Sequence, residues 1–154
     1  MMQRINIFEK ADESRTDDIV MLERGCFTDS WSRQSVLDTF ALADRCFIIL
    51  CTTDDKPSGY IICSCVVDEA EIQRIGVLPE FRRMGLGSLL VKEAKRYALL
   101  HSGGSSDYMF LEVRESNTAA VSLYRSCGFR EFGLRRGYYS NPTENALLMC
   151  TTLK

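Results

Sequence analysis

Arg82-Arg83-Met84-Gly85-Leu86-Gly87 is the stretch on which the fold of this chain turns. It follows a strand-like run, Glu71 to Val77, and opens straight into Leu86, Leu89, Leu90, Ala94, Tyr97 and Ala98, which recur at helical spacing. A strand, a Gly-rich turn and a helix together can cradle phosphates. The loop N–H groups converge, and the helix N-terminus adds a partial positive charge. Gly85 and Gly87 lack a Cβ, so the backbone there can approach a ligand closely or take a positive φ. No Gly-Lys-Ser/Thr follows, so the loop is not a Walker A, and its spacing is not G-x-G-x-x-G. On spacing alone, a surface loop with two arginines fits equally well.

Outward from this loop, each segment has its own signal. Arg4 to Phe8 alternates polar and apolar and predicts a first strand. Asp12 and Ser14 are capping residues ahead of a helix carrying Ile19, Leu22 and Phe27, and Ser32 heads a second with Val36, Leu37 and Phe40. Cys46 to Thr52 and Tyr60 to Val67 read as strands joined through the turn chemistry of Thr53 to Gly59. Beyond the central helix, His101 to Ser106 reads as a flexible loop and Tyr108 to Val113 as a short strand. Asn117 caps a helix with Ala120, Leu123, Tyr124 and Cys127, and Gly128 stands at its C′ position. Phe129 to Tyr139 and Asn145 to Thr152 make a final antiparallel pair. Antiparallel strands followed by a helix crossover predict an α/β fold, a single mixed but mostly antiparallel sheet flanked by about four helices, in one domain over residues 1–154.

The 154 residues are 45% hydrophobic and 26% charged with a net charge of −2, values ordinary for a globular protein. That charge argues against a general nucleic-acid binder, which needs a basic surface, and leaves a protein substrate with a basic N-terminal region compatible. The seven cysteines are odd in number and show neither C-x-x-C nor zinc spacing with His. They read as reduced thiols of a cytoplasmic protein, and no metal is expected. Met1 to Arg15 lacks a signal-peptide core, and the longest apolar stretch, Tyr60 to Val67, is far too short to span a membrane.

Two further segments, Leu111-Glu112-Val113-Arg114-Glu115-Ser116-Asn117 and Leu123-Tyr124-Arg125-Ser126-Cys127-Gly128-Phe129, resemble the GNAT acetyltransferase family. The likeness is greatest to its RimI-type branch of protein N-α-acetyltransferases, which act on the N-terminal alanine of a small-subunit ribosomal protein. Asp68-Glu69-Ala70, Arg135-Arg136-Gly137-Tyr138-Tyr139 and Trp31-Ser32 add to it. The resemblance implies the GNAT fold, acetyl-CoA as co-substrate, a protein N-terminus as acceptor, and direct transfer in a ternary complex. It also places Arg83, Met84, Gly85, Leu86, Gly87 and Ser88 on the pyrophosphate, Ile75, Gly76 and Val77 on the pantetheine arm, and Asn117 on the coenzyme. Ser30 stands where the family has proline, Gly137 where it has asparagine, and Gly76 where this branch has alanine.

Acetyl transfer from a thioester needs a neutral amine, donors for the oxyanion and a proton for the leaving thiolate. Glu112 is the candidate base by resemblance; on residues alone it is better explained as a strand carboxylate that faces solvent or pairs with a nearby arginine such as Arg114. Glu71 is its rival. Tyr124 is the candidate acid, with a half-buried packing role as the structural alternative. Trp31, Tyr138 and Tyr139 are candidates for the peptide groove or, equally, for packing. Arg82 and Arg83 can each pair with a phosphate or stay solvated, and His101 has no catalytic role. Two other functions fit the same residues: a GNAT enzyme acting on a small amine or a lysine side chain, and an acetyl-CoA-binding sensor without turnover.

Overall fold

A computed structural model describes residues 3–154; Met1 and Met2, the start of the segment read for a leader, lie outside the described residues. Among the described residues, seven strands form one sheet in the order β1-β2-β3-β4-β5-β7-β6. They are β1 (Asn6–Lys10), β2 (Cys46–Thr53), β3 (Lys56–Val66), β4 (Glu69–Val77), β5 (Tyr108–Arg114), β6 (Arg130–Tyr139) and β7 (Glu144–Thr152). Four α-helices join them: α1 (Thr16–Cys26), α2 (Arg33–Ala41), α3 (Leu86–His101) and α4 (Thr118–Ser126). Every neighbouring pair is antiparallel except β4 and β5, which α3 connects as a parallel crossover. This is the α/β arrangement expected from the sequence.

The two sheet faces divide the helices. Tyr60 on β3 meets Glu23 of α1, whereas its neighbour Gly59 lies against Leu90 of α3. Tyr60, Ile61 and Ile62 are fully buried because α1 covers one face of β3 and α3 the other. Ser32 caps α2 by accepting the Ser35 N–H, and Asn117 caps α4 by accepting the Ala120 N–H. Gly128 takes φ +92° just after α4, as a C′ glycine does.

Several expectations need correction. The first strand is Asn6–Lys10 rather than 4–8. Ile5 and Ile7 are both exposed and the inward face is instead that of Asn6 and Phe8, so the isoleucines do not mark the buried side, and pairing with β2 sets the strand's ends. Asp12 caps a single 3₁₀ turn over Glu13–Arg15, inside which Ser14 lies, and α1 begins only at Thr16. Phe27 is already extended at the end of α1. The β2–β3 turn is only Asp54-Asp55, both at positive φ, which Asp tolerates. Leu89 is exposed; α3 buries Leu86, Leu90, Val91, Ala94 and Ala98. All seven cysteines are free, as expected. No helix among the described residues is long and apolar enough to cross a membrane.

Candidate active site

The site arises where the sheet splits. β4 and β5 pair only over Glu69–Ile72 and Tyr108–Leu111, yet β4 runs on to Val77 and β5 to Arg114. Past Ile72, β4 turns one backbone edge to a gap with no strand to take its N–H and C=O groups. An extra residue, Gln73, sits in a bulge opposite Ile62 and Cys63 at the point of divergence.

A cleft of about 500 Å³ opens from this gap. Ile75, Gly76 and Val77 form one wall, Arg83, Gly85, Leu86, Gly87 and Ser88 the floor, and Asn117 with Leu123 the other wall. Nine of the ten residues predicted for the coenzyme therefore line one cavity; Met84 does not, packing instead against the core. Gly85 is the N-cap of α3 at φ +78° and supplies no side-chain cap, so the first N–H groups of α3 have no acceptor among the described residues. A Cβ at Gly87 would come 3.1 Å from Leu123 Cδ2, so that glycine lets α3 and α4 meet across the cleft. The Arg82 side chain turns back onto β4, where its Nε donates to the Val77 carbonyl at 2.9 Å.

Gly76 is explained by close approach, not by the bulge, which lies three residues earlier. A Cβ there would stand 2.8 Å from Tyr60 Cε1 and 3.0 Å from Cys26 Sγ.

On β5, Met109, Leu111 and Val113 are buried in the core, and Glu112 points to the opposite face. Its Oε1 lies 3.5 Å from Arg135 Nη1, and not in a pair with Arg114. Glu112 pulls up the pKa of Tyr138 by holding its phenolic proton and by charge. Partial shielding and the Glu112 charge raise the pKa of Glu71, so two carboxylates share this side of the split. Tyr124 is 6% exposed, edge-on to Phe129 with ring centroids 5.6 Å apart, and its hydroxyl has no hydrogen-bond partner among the described residues. Burial pushes its pKa up. Tyr139 neighbours both groups, its phenol influenced by Glu112 and in turn acting on Tyr124.

Gly137, at φ +60°, donates its N–H to Asn145 Oδ1 at 3.0 Å inside a bulge of β6, which re-aims Tyr138 and Tyr139. Trp31 lies on the loop between α1 and α2, half-buried. His101 ends α3 with Nε2 3.0 Å from the Asp44 carbonyl, away from the cleft.

Sequence reading missed Glu23 and Arg74. Glu23 is fully buried, takes Arg74 Nε and Nη2 at 2.9 Å each, and also accepts from Tyr60 Oη and from the Trp31 N–H. The one signal in the sequence was an acid on the apolar stripe of α1, one residue after Leu22 and four after Ile19.

A split parallel pair and an uncapped helix start along one cleft are features of the kind GNAT proteins build; neither Glu112 nor Tyr124 is among the residues that line that cleft. The acetyltransferase (GNAT) family model matches residues 16–129, and the chain belongs to that family. A [ribosomal protein bS18]-alanine N-acetyltransferase from Salmonella typhimurium is 34% identical over 130 residues, covering 83% of this chain and 84% of the relative. The protein of that description from Haemophilus ducreyi is 30% identical over 135 residues, covering 86% and 90%. The crystal structure of the ribosomal-protein-S18-alanine N-acetyltransferase from Escherichia coli superimposes with a TM-score of 0.83 at 26% identity, over 97% of this chain and 95% of that one.

Proposed function

We propose that this protein transfers the acetyl group of acetyl-CoA to the N-terminal α-amine of a protein, and that its acceptor is the N-terminal alanine of a small-subunit ribosomal protein. The observation that carries the reading is the split of β4 from β5, beside which the free edge Ile75–Val77 and the Gly-rich loop line one cleft; Glu112 and Tyr124, which do not line it, take their roles from the family resemblance. The names of the relatives at 30–34% identity support the choice of acceptor.

Each residue has a distinct part in the reaction. N–H groups of Arg83 to Ser88 bind the pyrophosphate, with Asn117 beside them. The free edge of Ile75–Val77 holds the pantetheine arm and, near Val77, the oxyanion. An α-amine has a pKa of about 7.7 to 8.0, so a useful fraction is neutral near pH 7, whereas a lysine at about 10.4 is almost wholly charged. Glu112 removes the acceptor's proton as its nitrogen attacks the thioester carbon. The new C–N bond forms, the C–S bond breaks, and Tyr124 delivers a proton to the departing sulfur. Its raised pKa keeps the phenol protonated throughout the working range. Trp31, Tyr138 and Tyr139 border the acceptor. Such chemistry belongs in the cytoplasm, where ribosomal proteins are made, and needs no metal.

Purified protein, acetyl-CoA and short peptides beginning Ala, Ser, Thr, Met or Gly, each with an N-terminally blocked copy, test this by intact mass. Acetylation of the free Ala-start peptide above the others supports the assignment. Acetylation of blocked copies moves the function to lysine, and product on none of them, with acetyl-CoA bound, leaves a small-amine enzyme or a sensor.

A further inference from the structure

Loop 27–32, between α1 and α2, has no regular structure, yet its position is fixed from one side. Among the described residues, every non-local hydrogen bond of residues 28–31 goes to Glu23 or Arg74: the Trp31 N–H donates to Glu23 Oε1 at 2.7 Å, and Arg74 Nη2 reaches the Asp29 carbonyl at 3.4 Å. The Arg74 guanidinium also lies 4.0 Å from the Phe27 ring centroid and 5.5 Å from that of Trp31. Arg74 thus touches the loop at Phe27, Asp29 and Trp31 while its fork is held by the buried Glu23 carboxylate. It stands on β4, three residues after Glu71 and two before Gly76, the residue whose face the coenzyme cleft uses.

A buried ion pair is weak evidence of a gain in stability, because apolar residues of similar volume usually do as well. What this pair does supply is geometry. It references the loop to the strand edge at the gap. We infer that Arg74, backed by Glu23, is a positioning residue for the acceptor: it locks loop 27–32, and Trp31 with it, as one wall of the site where the acceptor amine meets Glu112. The inference rests on the acceptor assignment proposed for this site. Arg114 on β5 offers a counterpart at the other wall. It donates to the Ser140 and Pro142 carbonyls at 3.1 Å each and stacks over Tyr139 at 4.5 Å, but its partner Glu144 is at the surface end of the sheet rather than in the core.

Trp31 is the only tryptophan of the chain, so its fluorescence reports this loop alone. The test compares wild type with Arg74→Met, Arg74→Lys and Glu23→Gln, measuring peptide KM, kcat, acetyl-CoA Kd and acrylamide quenching of Trp31. In Arg74→Met the peptide KM rises about tenfold or more while kcat and acetyl-CoA Kd stay within about twofold, and quenching increases. Arg74→Lys falls between, since lysine keeps the charge but loses the fork. Unchanged peptide KM with unchanged quenching overturns the inference, as does an equal loss of acetyl-CoA affinity, which shows that Arg74 acts on the coenzyme cleft through Phe27, one of its lining residues. If Arg74→Met does not fold, Arg74→Lys and Glu23→Gln carry the same comparison. A wild type that acetylates no peptide refutes the acceptor assignment, and the quenching series then still decides whether Arg74 locks the loop.

Discussion

The two sides of the gap between β4 and β5 are made of different material. The side proposed for the coenzyme is largely main chain: the unpaired edge of Ile75–Val77, the turn at Arg83–Gly85 and the uncapped start of α3, all within about fifteen residues of sequence. The side proposed for the acceptor is side chains drawn from α1, β4, β5 and β6, with Glu23 paired to Arg74, and Glu112 to Arg135 and Tyr138. Main-chain binding tolerates almost any side chain and so fits a ligand that never varies. A side-chain network can be altered one residue at a time, which suits the part of an enzyme that chooses its acceptor.

That contrast makes the two sides separable by single substitutions. The largest effect is expected at Tyr124→Phe, which removes the proton donor while keeping the ring that packs on Phe129. Its kcat falls about 10²- to 10³-fold with acetyl-CoA Kd within about twofold. A matching loss of acetyl-CoA binding by calorimetry shows the two sides to be one unit. Next comes Gly87→Val, whose Cβ would already stand 3.1 Å from Leu123 and whose branches wedge α3 from α4. Acetyl-CoA KM rises by about tenfold, kcat at saturation stays near wild type, and the Tm falls, as overpacking costs about 1–3 kcal/mol.

Gly76→Ala is aimed at the boundary between the sides. The added Cβ collides with Tyr60, which holds Glu23, and with Cys26. Denaturant melts should show a loss of about 1–3 kcal/mol, and a neutral result means that the Tyr60–Glu23 contact yields easily. The smallest effect is expected at Glu71→Gln. The folded protein raises the pKa of Glu71 above 4.5, so between that value and the folded pKa the native state binds the extra proton. The stability contribution of Glu71 therefore falls as pH rises through that window. Removing the charge should raise the Tm at neutral pH by about one degree, because the group is partly solvated. The gain fades as the pH drops below the ordinary carboxylate range, and a gain that grows on acidification contradicts the sign.

The same contrast accounts for what the sequence disclosed. The phosphate loop, the Ser32 and Asn117 caps and the Gly128 stop are local signals, and each lies where its residue types predict. Glu112 and Tyr124 were legible only as part of family-like strings, since a strand acid and a helix tyrosine have no spacing signature of their own. Glu23 and Arg74 are 51 residues apart, and nothing in either neighbourhood announces the other. Gly76 was visible as a departure, but its cause, the approach of Tyr60 and Cys26, belongs to packing between α1, β3 and β4. The ends of β1 went wrong because the two isoleucines face solvent and the half-buried face is that of Asn6 and Phe8, so the apolar alternation does not mark where pairing with β2 begins and ends.

An N-terminal acetyltransferase must place its acetyl group on an α-amine and leave lysine untouched. A single peptide beginning with alanine and carrying an internal lysine, incubated with acetyl-CoA and the enzyme and then fragmented in the mass spectrometer, tests it most directly. One acetyl group located on the α-nitrogen, absent with Glu112→Gln or Tyr124→Phe at matched times, is the predicted result. An acetyl group on the lysine, or equal α-acetylation by both variants, contradicts the account.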